Sequence, residues 1–262
     1  MGLIDSHAHL TMPELCDQLQ AILDRAREAG VERVISVGVN LEDSRAVLRL
    51  CEAHPELIQA VIGFHPHEAA KVTDAQIAAL TELLDHPAVV GFGEMGLDYH
   101  YDFSPRDVQR QVFAKQLAVA ADHPLPLVIH SREAFDDTAR LLIEHGFEQR
   151  PVVFHCFTGT ADQVQHAARH GWRISFTGVV TFAKSQWLQR IARTYPLEHL
   201  MLETDSPYLS PEPVRSQRPN EPALVAHIAR FLAELRGLAY EDFVERTSEN
   251  TGGFYRRAGS SP

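Results

Sequence analysis

Leu3-Ile4-Asp5-Ser6-His7-Ala8-His9 is a short run that begins apolar and ends in two histidines separated by one residue. In a strand, residues two apart point to the same face, so His7 and His9 present two imidazoles side by side. Converging imidazoles pack poorly in a core but suit a borderline-soft metal ion. Alone, a His-x-His pair is also a common surface feature. Its meaning depends on the rest of the chain.

The pair opens a repeating pattern. Nearly continuous apolar runs recur at Leu3–His9, Arg33–Val39, Ile58–Phe64, Val89–Glu94, Leu127–His130, Val152–His155, Arg173–Thr177 and His199–Thr204. Such runs mark strands covered on both faces. Between them, Glu14–Ala29, Ser44–Ala53, Asp74–Leu84, Arg106–Asp122 and Glu133–His145 repeat apolar residues at three- and four-residue intervals, the period of an amphipathic helix. Thr73-Asp74 and Ser104-Pro105 read as helix starts, and Gly30, Gly146 and Gly171 as helix stops. Strand then helix, eight times over, predicts an α/β fold, a single-domain (β/α)8 TIM-type barrel. An open doubly wound sheet would carry a Gly-rich phosphate turn after its first strand, and Asp5–His9 is no such turn. The Pro-rich Ser206–Pro222 reads as a long loop rather than a linker, so residues 1–262 are expected to form one domain.

The 262 residues are 45% hydrophobic and 23% charged, enough to build a sizeable core. No apolar stretch approaches the roughly 18 residues of a membrane span, and the N-terminus lacks a signal-peptide pattern. A cytoplasmic protein with no membrane partner and no obligate protein partner is expected. Cys16, Cys51 and Cys156 are odd in number and widely spaced, which argues against disulfides and CxxC zinc motifs. Cys156 reads as a small buried thiol. A net charge of −11 excludes a protein that coats nucleic acid through a global basic surface. A polyanionic substrate would have to meet local positive charge, from metal ions and a few arginines.

In such a barrel, reactive groups stand at the C-terminal ends of the strands. Those ends carry His7 and His9, then His65, Glu94, His130 and His155, and finally Glu203 with Asp205. Burying each group is costly unless it is paired or metal-bound. A carboxylate can bridge two cations about 3.5–4 Å apart, so this set suits a binuclear site. Glu94 is the expected bridge. His7, His9 and Asp205 join it on one ion, and His130 and His155 on the other, while the deeper Glu203 orients a ligand.

At this point seven segments resemble the TatD family of metal-dependent deoxyribonucleases, within the amidohydrolase superfamily. They are DSHAHL (5–10), GFHPH (63–67), GEMGLDYHYD (93–102), PLVIHSREA (126–134), VVFHCFTG (152–159), ISFTGVVTF (174–182) and LETDSPYL (202–209). The resemblance implies a TIM-type barrel with ligands at His7, His9, Glu94, His130, His155 and Asp205, the set already read from the strand ends. It also implies 3′ to 5′ exonuclease action on DNA ends. Glu94 separates the chain from superfamily relatives that bridge their metals with a carbamylated lysine. One segment departs from the pattern: the family usually shows Arg-Gly-x-Arg-Asn where this chain has Arg215-Ser216-Gln217-Arg218-Pro219-Asn220.

The expected reaction is phosphodiester hydrolysis by metal-activated water, with two divalent ions drawn from Mg2+, Mn2+, Zn2+, Co2+ or Ni2+. Asp205 would bind metal through one oxygen and orient or deprotonate the water with the other, or else merely cap a helix. His65 is a ligand, a proton donor to the leaving group, a phosphate-binding group or a satisfied buried histidine. His67, His100 and His123 read as surface or loop residues. Arg132, just past His130 and opening a helix, could clamp a phosphate or pair with a loop carboxylate. Arg215 and Arg218 are further phosphate candidates. Tyr99, Phe103, Phe157 and Tyr208 lie on loops where a ring could stack a base. The same activated water could attack an amide, lactone or aminoacyl ester, since a fold does not fix a substrate.

Overall fold

Alternate residues of each apolar run meet different partners. Ile62, Leu127, Ile129 and Leu202 join a large buried cluster with helix residues such as Leu23, Val47 and Phe113. Ile35, Val61, Val128, Val153 and Met201 form a second cluster among themselves. Strands with two buried faces pack this way when they wrap into a barrel, with helices outside and a filled centre.

The computed structural model describes residues 2–256 and has this form; Met1 and residues 257–262 of the expected domain lie outside the described residues. Its strands are β1 (Leu3–Ala8), β2 (Val31–Gly38), β3 (Ile58–Ile62), β4 (Val89–Asp98), β5 (Leu127–Arg132), β6 (Val152–Phe154), β7 (Arg173–Phe176) and β8 (Leu200–Leu202). All neighbours are parallel and follow sequence order. Closure is made just beyond β8, where Ala8 bridges Ser206 and the Asp205 N–H donates to the His7 carbonyl at 3.0 Å. Asp5 braces this seam by accepting from the Thr204 N–H (2.8 Å) and hydroxyl (2.6 Å). At the opposite end, Phe254 and Tyr255 plug the barrel. Among the described residues no helix is long and apolar enough to cross a membrane.

The two-residue period then places the chemistry. Val128, Val153 and Met201 fill the barrel centre, and the next inward positions toward the mouth are His130, His155 and Glu203. Several boundaries differ from the sequence reading. The helix expected at Glu14–Ala29 breaks at Asp17–Gln18 into Pro13–Cys16 and Leu19–Glu28. Thr73 caps the helix expected to start there and makes a capping box with Gln76, but Ser104 spends its hydroxyl on the His67 carbonyl and leaves the helix at Arg106 without a side-chain cap. Arg132 ends β5 instead of opening a helix; the next helix starts at Phe135. The largest difference is β4, which runs on past Glu94 to Asp98.

That extension depends on Gly96, whose φ is +140° and whose added Cβ would strike the His130 carbonyl oxygen. The glycine lets β4 and β5 approach where Glu94 and His130 must face one another. Gly96→Ala should lower the unfolding free energy by roughly 2–3 kcal/mol. Urea denaturation checks this, and an unchanged midpoint would contradict it.

Candidate metal centre

Glu94 leaves β4 into the barrel mouth with its side chain 2% exposed, and its two oxygens face different groups. Oε1 lies 2.6 Å from His155 Nε2, 2.7 Å from His130 Nδ1 and 3.3 Å from His65 Nε2. Oε2 lies 3.3 Å from His7 Nε2 and 3.7 Å from His9 Nε2. His7 and His9 nitrogens are 3.3 Å apart, and Asp205 Oδ1 stands 3.5 Å from His9 Nε2. On the other side, His130 Nδ1 and His155 Nε2 are also 3.3 Å apart. With metal–donor bonds of about 2.0–2.1 Å, donors sharing one ion sit roughly 3 Å from each other. The spacings fit that requirement on both sides of Glu94.

Outer partners fix how the rings are presented. His9 Nδ1 donates to the Val37 carbonyl at 3.3 Å, leaving the Nε2 lone pair toward His7 and Glu94. His130 Nε2 donates to Asp98 Oδ2 at 3.1 Å, so that in the neutral ring the Nδ1 lone pair faces Glu94. An unprotonated nitrogen facing a carboxylate oxygen is repulsive unless a positive ion stands with them. Glu94 Oε2 and His7 Nδ1 are buried with no hydrogen-bond partner among the described residues. Carboxylate behind imidazole is the arrangement that orients metal-bound histidines. The donor set fits divalent cations.

Charge supports the same conclusion. Burial opposes ionisation of Glu94, yet His155, His65 and His7 around it hold its carboxyl well below the usual range. Burial likewise opposes protonation of His155, but Glu94 and Glu203 pull its imidazole well above the ordinary value. Buried carboxylates and imidazoles thus hold one another's charge in the pocket, and a divalent ion would take the place of the imidazole protons. His65 differs: burial pushes it down to about 4, so its ring is neutral. Its Nδ1 accepts from the His67 N–H at 3.1 Å, which leaves the proton on Nε2, facing Glu94.

The fold brings together His7, His9, His65, Glu94, His130, His155, Glu203 and Asp205. Glu203 lies deeper, accepting from the Cys156 N–H and the Ser175 hydroxyl at 2.6 Å each, with its Oε1 3.5 Å from His155 Nδ1. Three candidates stand apart. Arg215 lies over the Phe182 ring and 3.8 Å from Glu212; Arg218 is exposed on the same loop. Arg132 is exposed at the end of β5. Among the aromatic candidates, Tyr99 is engaged by Asp137 and Arg110, and Phe157 is buried. Phe103 and Tyr208 remain exposed.

Sequence reasoning missed Asp98 and misplaced His67. Asp98 is wholly buried, and its Oδ2 contacts both His130 and His67, the latter at 2.9 Å. The signal was present: Glu94, Gly96 and Asp98 share one strand face at two-residue spacing. Backbone strain marks the same mouth. Every non-glycine residue with positive φ among those described, Asp102, Glu133, Cys156, Asp205 and Leu209, follows one of the strands β4, β5, β6 or β8.

The family described as TatD related DNase matches residues 4–256. The chain is 37% identical to an uncharacterized metal-dependent hydrolase, YabD, of Bacillus subtilis over 97% of its own length and 99% of that protein. It is 38% identical to the 3′-5′ ssDNA/RNA exonuclease TatD of Musicola paradisiaca, over 89% of this chain and 90% of the relative. The crystal structure of the TatD homologue YjjV from Escherichia coli superposes with a TM-score of 0.90 at 29% identity, covering 96% of this chain and 97% of that one.

A donor set built for cations should be stabilised by them. Adding Zn2+ or Mn2+ to chelator-treated protein at about a hundredfold excess over Kd should raise Tm by roughly 5–10 °C. Differential scanning calorimetry checks this. A Tm unmoved by any divalent ion would contradict the assignment.

Proposed function

The chain belongs to the TatD-related DNase family, and from that premise we propose that it is a two-metal phosphodiesterase that removes nucleotides from the 3′ end of single-stranded DNA. The carrying observation is the two-sided environment of Glu94, one oxygen toward His7 and His9 and the other toward His130 and His155. His7, His9 and Asp205 would hold one divalent ion with Glu94, and His130 and His155 the second. Mg2+, Mn2+, Zn2+, Co2+ and Ni2+ are the candidates. When bound, such ions supply a water of lowered pKa and polarise a phosphoryl oxygen.

The remaining work falls to the chain's own groups. Asp205 is the carboxylate that reaches solvent, with its side chain 14% exposed against 2% for Glu94. With Oδ1 directed at His9, its Oδ2 is the atom that accepts the proton of the attacking water. Burial opposes its ionisation, but the contact with His9 and the nearness of His7 and His155 hold its carboxyl below the usual range, ready as a base. His65, neutral and carrying its proton on Nε2, acts as a hydrogen-bond donor to a phosphoryl or leaving-group oxygen rather than as a ligand. Asp98 and Glu203 orient His130 and His155. The free thiols Cys16, Cys51 and Cys156 suit a reducing compartment, the cytoplasm.

The relatives named 3′-5′ ssDNA/RNA exonucleases support a nucleic-acid end as substrate. An acidic chain that cannot coat a duplex also suits a site that takes in one strand end. The test is metal-restored protein on 5′-labelled single-stranded DNA beside a panel of amides and esters. We expect stepwise shortening from the 3′ end with a divalent ion present. Asp205→Asn should lower kcat by roughly 10²–10⁴-fold, and Glu94→Gln should abolish turnover. Hydrolysis of carbonyl substrates alone, with DNA intact, would contradict the proposal.

A further inference from the structure

Phe103 is the most exposed large apolar side chain among the described residues, at 67%, and Tyr101 beside it is 48% exposed. Their rings are parallel to within 2°, with centroids 5.4 Å apart. The Arg132 guanidinium lies 4.8 Å from the Tyr101 ring centroid. Some arginines of this acidic surface are spent on carboxylates, Arg106 with Asp102 on the same loop, Arg140 with Asp137 and Glu144, Arg215 with Glu212. Among the described residues Arg132 pairs with no carboxylate. An aromatic stack and an unspent cation therefore stand together at the barrel mouth.

The group is braced and continuous with the donor cluster. Asp98 Oδ1 accepts from the His100 and Tyr101 N–H groups at 2.9 Å each, while its Oδ2 contacts His67 and His130. The His67 ring meets Phe103 edge-on at 4.8 Å and lies 6.0 Å from the His130 ring. Arg106 ties the loop from the other side, bonding Asp102 and the Tyr99 carbonyl. Exposed rings are thus held in place by a polar frame instead of by packing, which lowers the cost of ordering them around a ligand. Scattered exposed apolar residues need no explanation, but a rigid parallel pair with an adjacent guanidinium one histidine from a metal centre does.

We propose that Tyr101, Phe103 and Arg132 form a subsite for single-stranded nucleic acid, an unpaired base stacking on the ring pair and a neighbouring phosphate meeting the guanidinium. This rests on the nucleic-acid reading above and adds where the strand next to the cleaved end is gripped. A base inside a duplex has its faces covered by its neighbours, so the subsite selects unpaired ends.

The test compares wild-type, Phe103→Ala, Tyr101→Ala and Arg132→Gln enzymes, metal-loaded, on two phosphodiesters. One is a single-stranded oligodeoxynucleotide; the other is bis(p-nitrophenyl) phosphate, too small to span both sites. Each aromatic variant should raise KM for the oligonucleotide about tenfold, with kcat within twofold and the small diester unaffected. An abasic nucleotide at the gripped position should weaken wild-type binding equally and add nothing in Phe103→Ala. Arg132→Gln should reduce the slope of log Kd against log salt by about 0.7. Unchanged KM in both aromatic variants overturns the subsite while leaving the nuclease reading intact. Wild-type enzyme inactive on both diesters overturns both.

Discussion

The structure turns on one buried carboxylate with imidazoles on both sides. Glu94 cannot be ionised in the barrel mouth without positive charge beside each oxygen, and the histidines cannot direct lone pairs at it without the same. A cation satisfies both. That mutual requirement explains why groups expensive to bury are gathered from β1, β4, β5, β6 and the segment after β8. It also explains why a second layer, Asp98, Glu203 and the Val37 carbonyl, is spent on orienting rings.

The barrel supplies these groups through its closure. The seam between β1 and the chain past β8 is the last pairing to form in sequence terms, and it sets His7 and His9 against Asp205. Asp5 holds that seam through Thr204, so the first strand both closes the fold and arms it. The inward-facing Val128, Val153 and Met201 give a packed floor, and Phe254 and Tyr255 seal the far end. Reactivity is confined to one face, where the strained residues also collect.

Much of this was legible from residue order. Continuous apolar strands and interleaved helical periods led to the barrel, and histidines and carboxylates at strand ends led to the gathered donors. Asp98 escaped because the charged Glu94 and then Gly96 interrupt the apolar run, so β4 appeared to stop at Glu94. His67 escaped with it, since its partner was missing. The state of His65 was beyond sequence, because it depends on a backbone N–H two residues away and on complete burial. Arg215 and Tyr99 looked like ligand-binding groups until the fold gave them Phe182, Asp137 and Arg110 as partners. Loop side chains on a barrel mouth are exchangeable between packing and recognition, and composition does not separate the two.

The central claim is that Glu94 couples two cation sites. Calorimetric titration of the chelator-treated protein with one divalent metal, in wild-type and Glu94→Gln forms, tests it most directly. The account predicts two ions per chain in the wild type and weakened binding of both in the variant. One ion per chain, or a variant that loses one site while the other keeps its affinity, would contradict it.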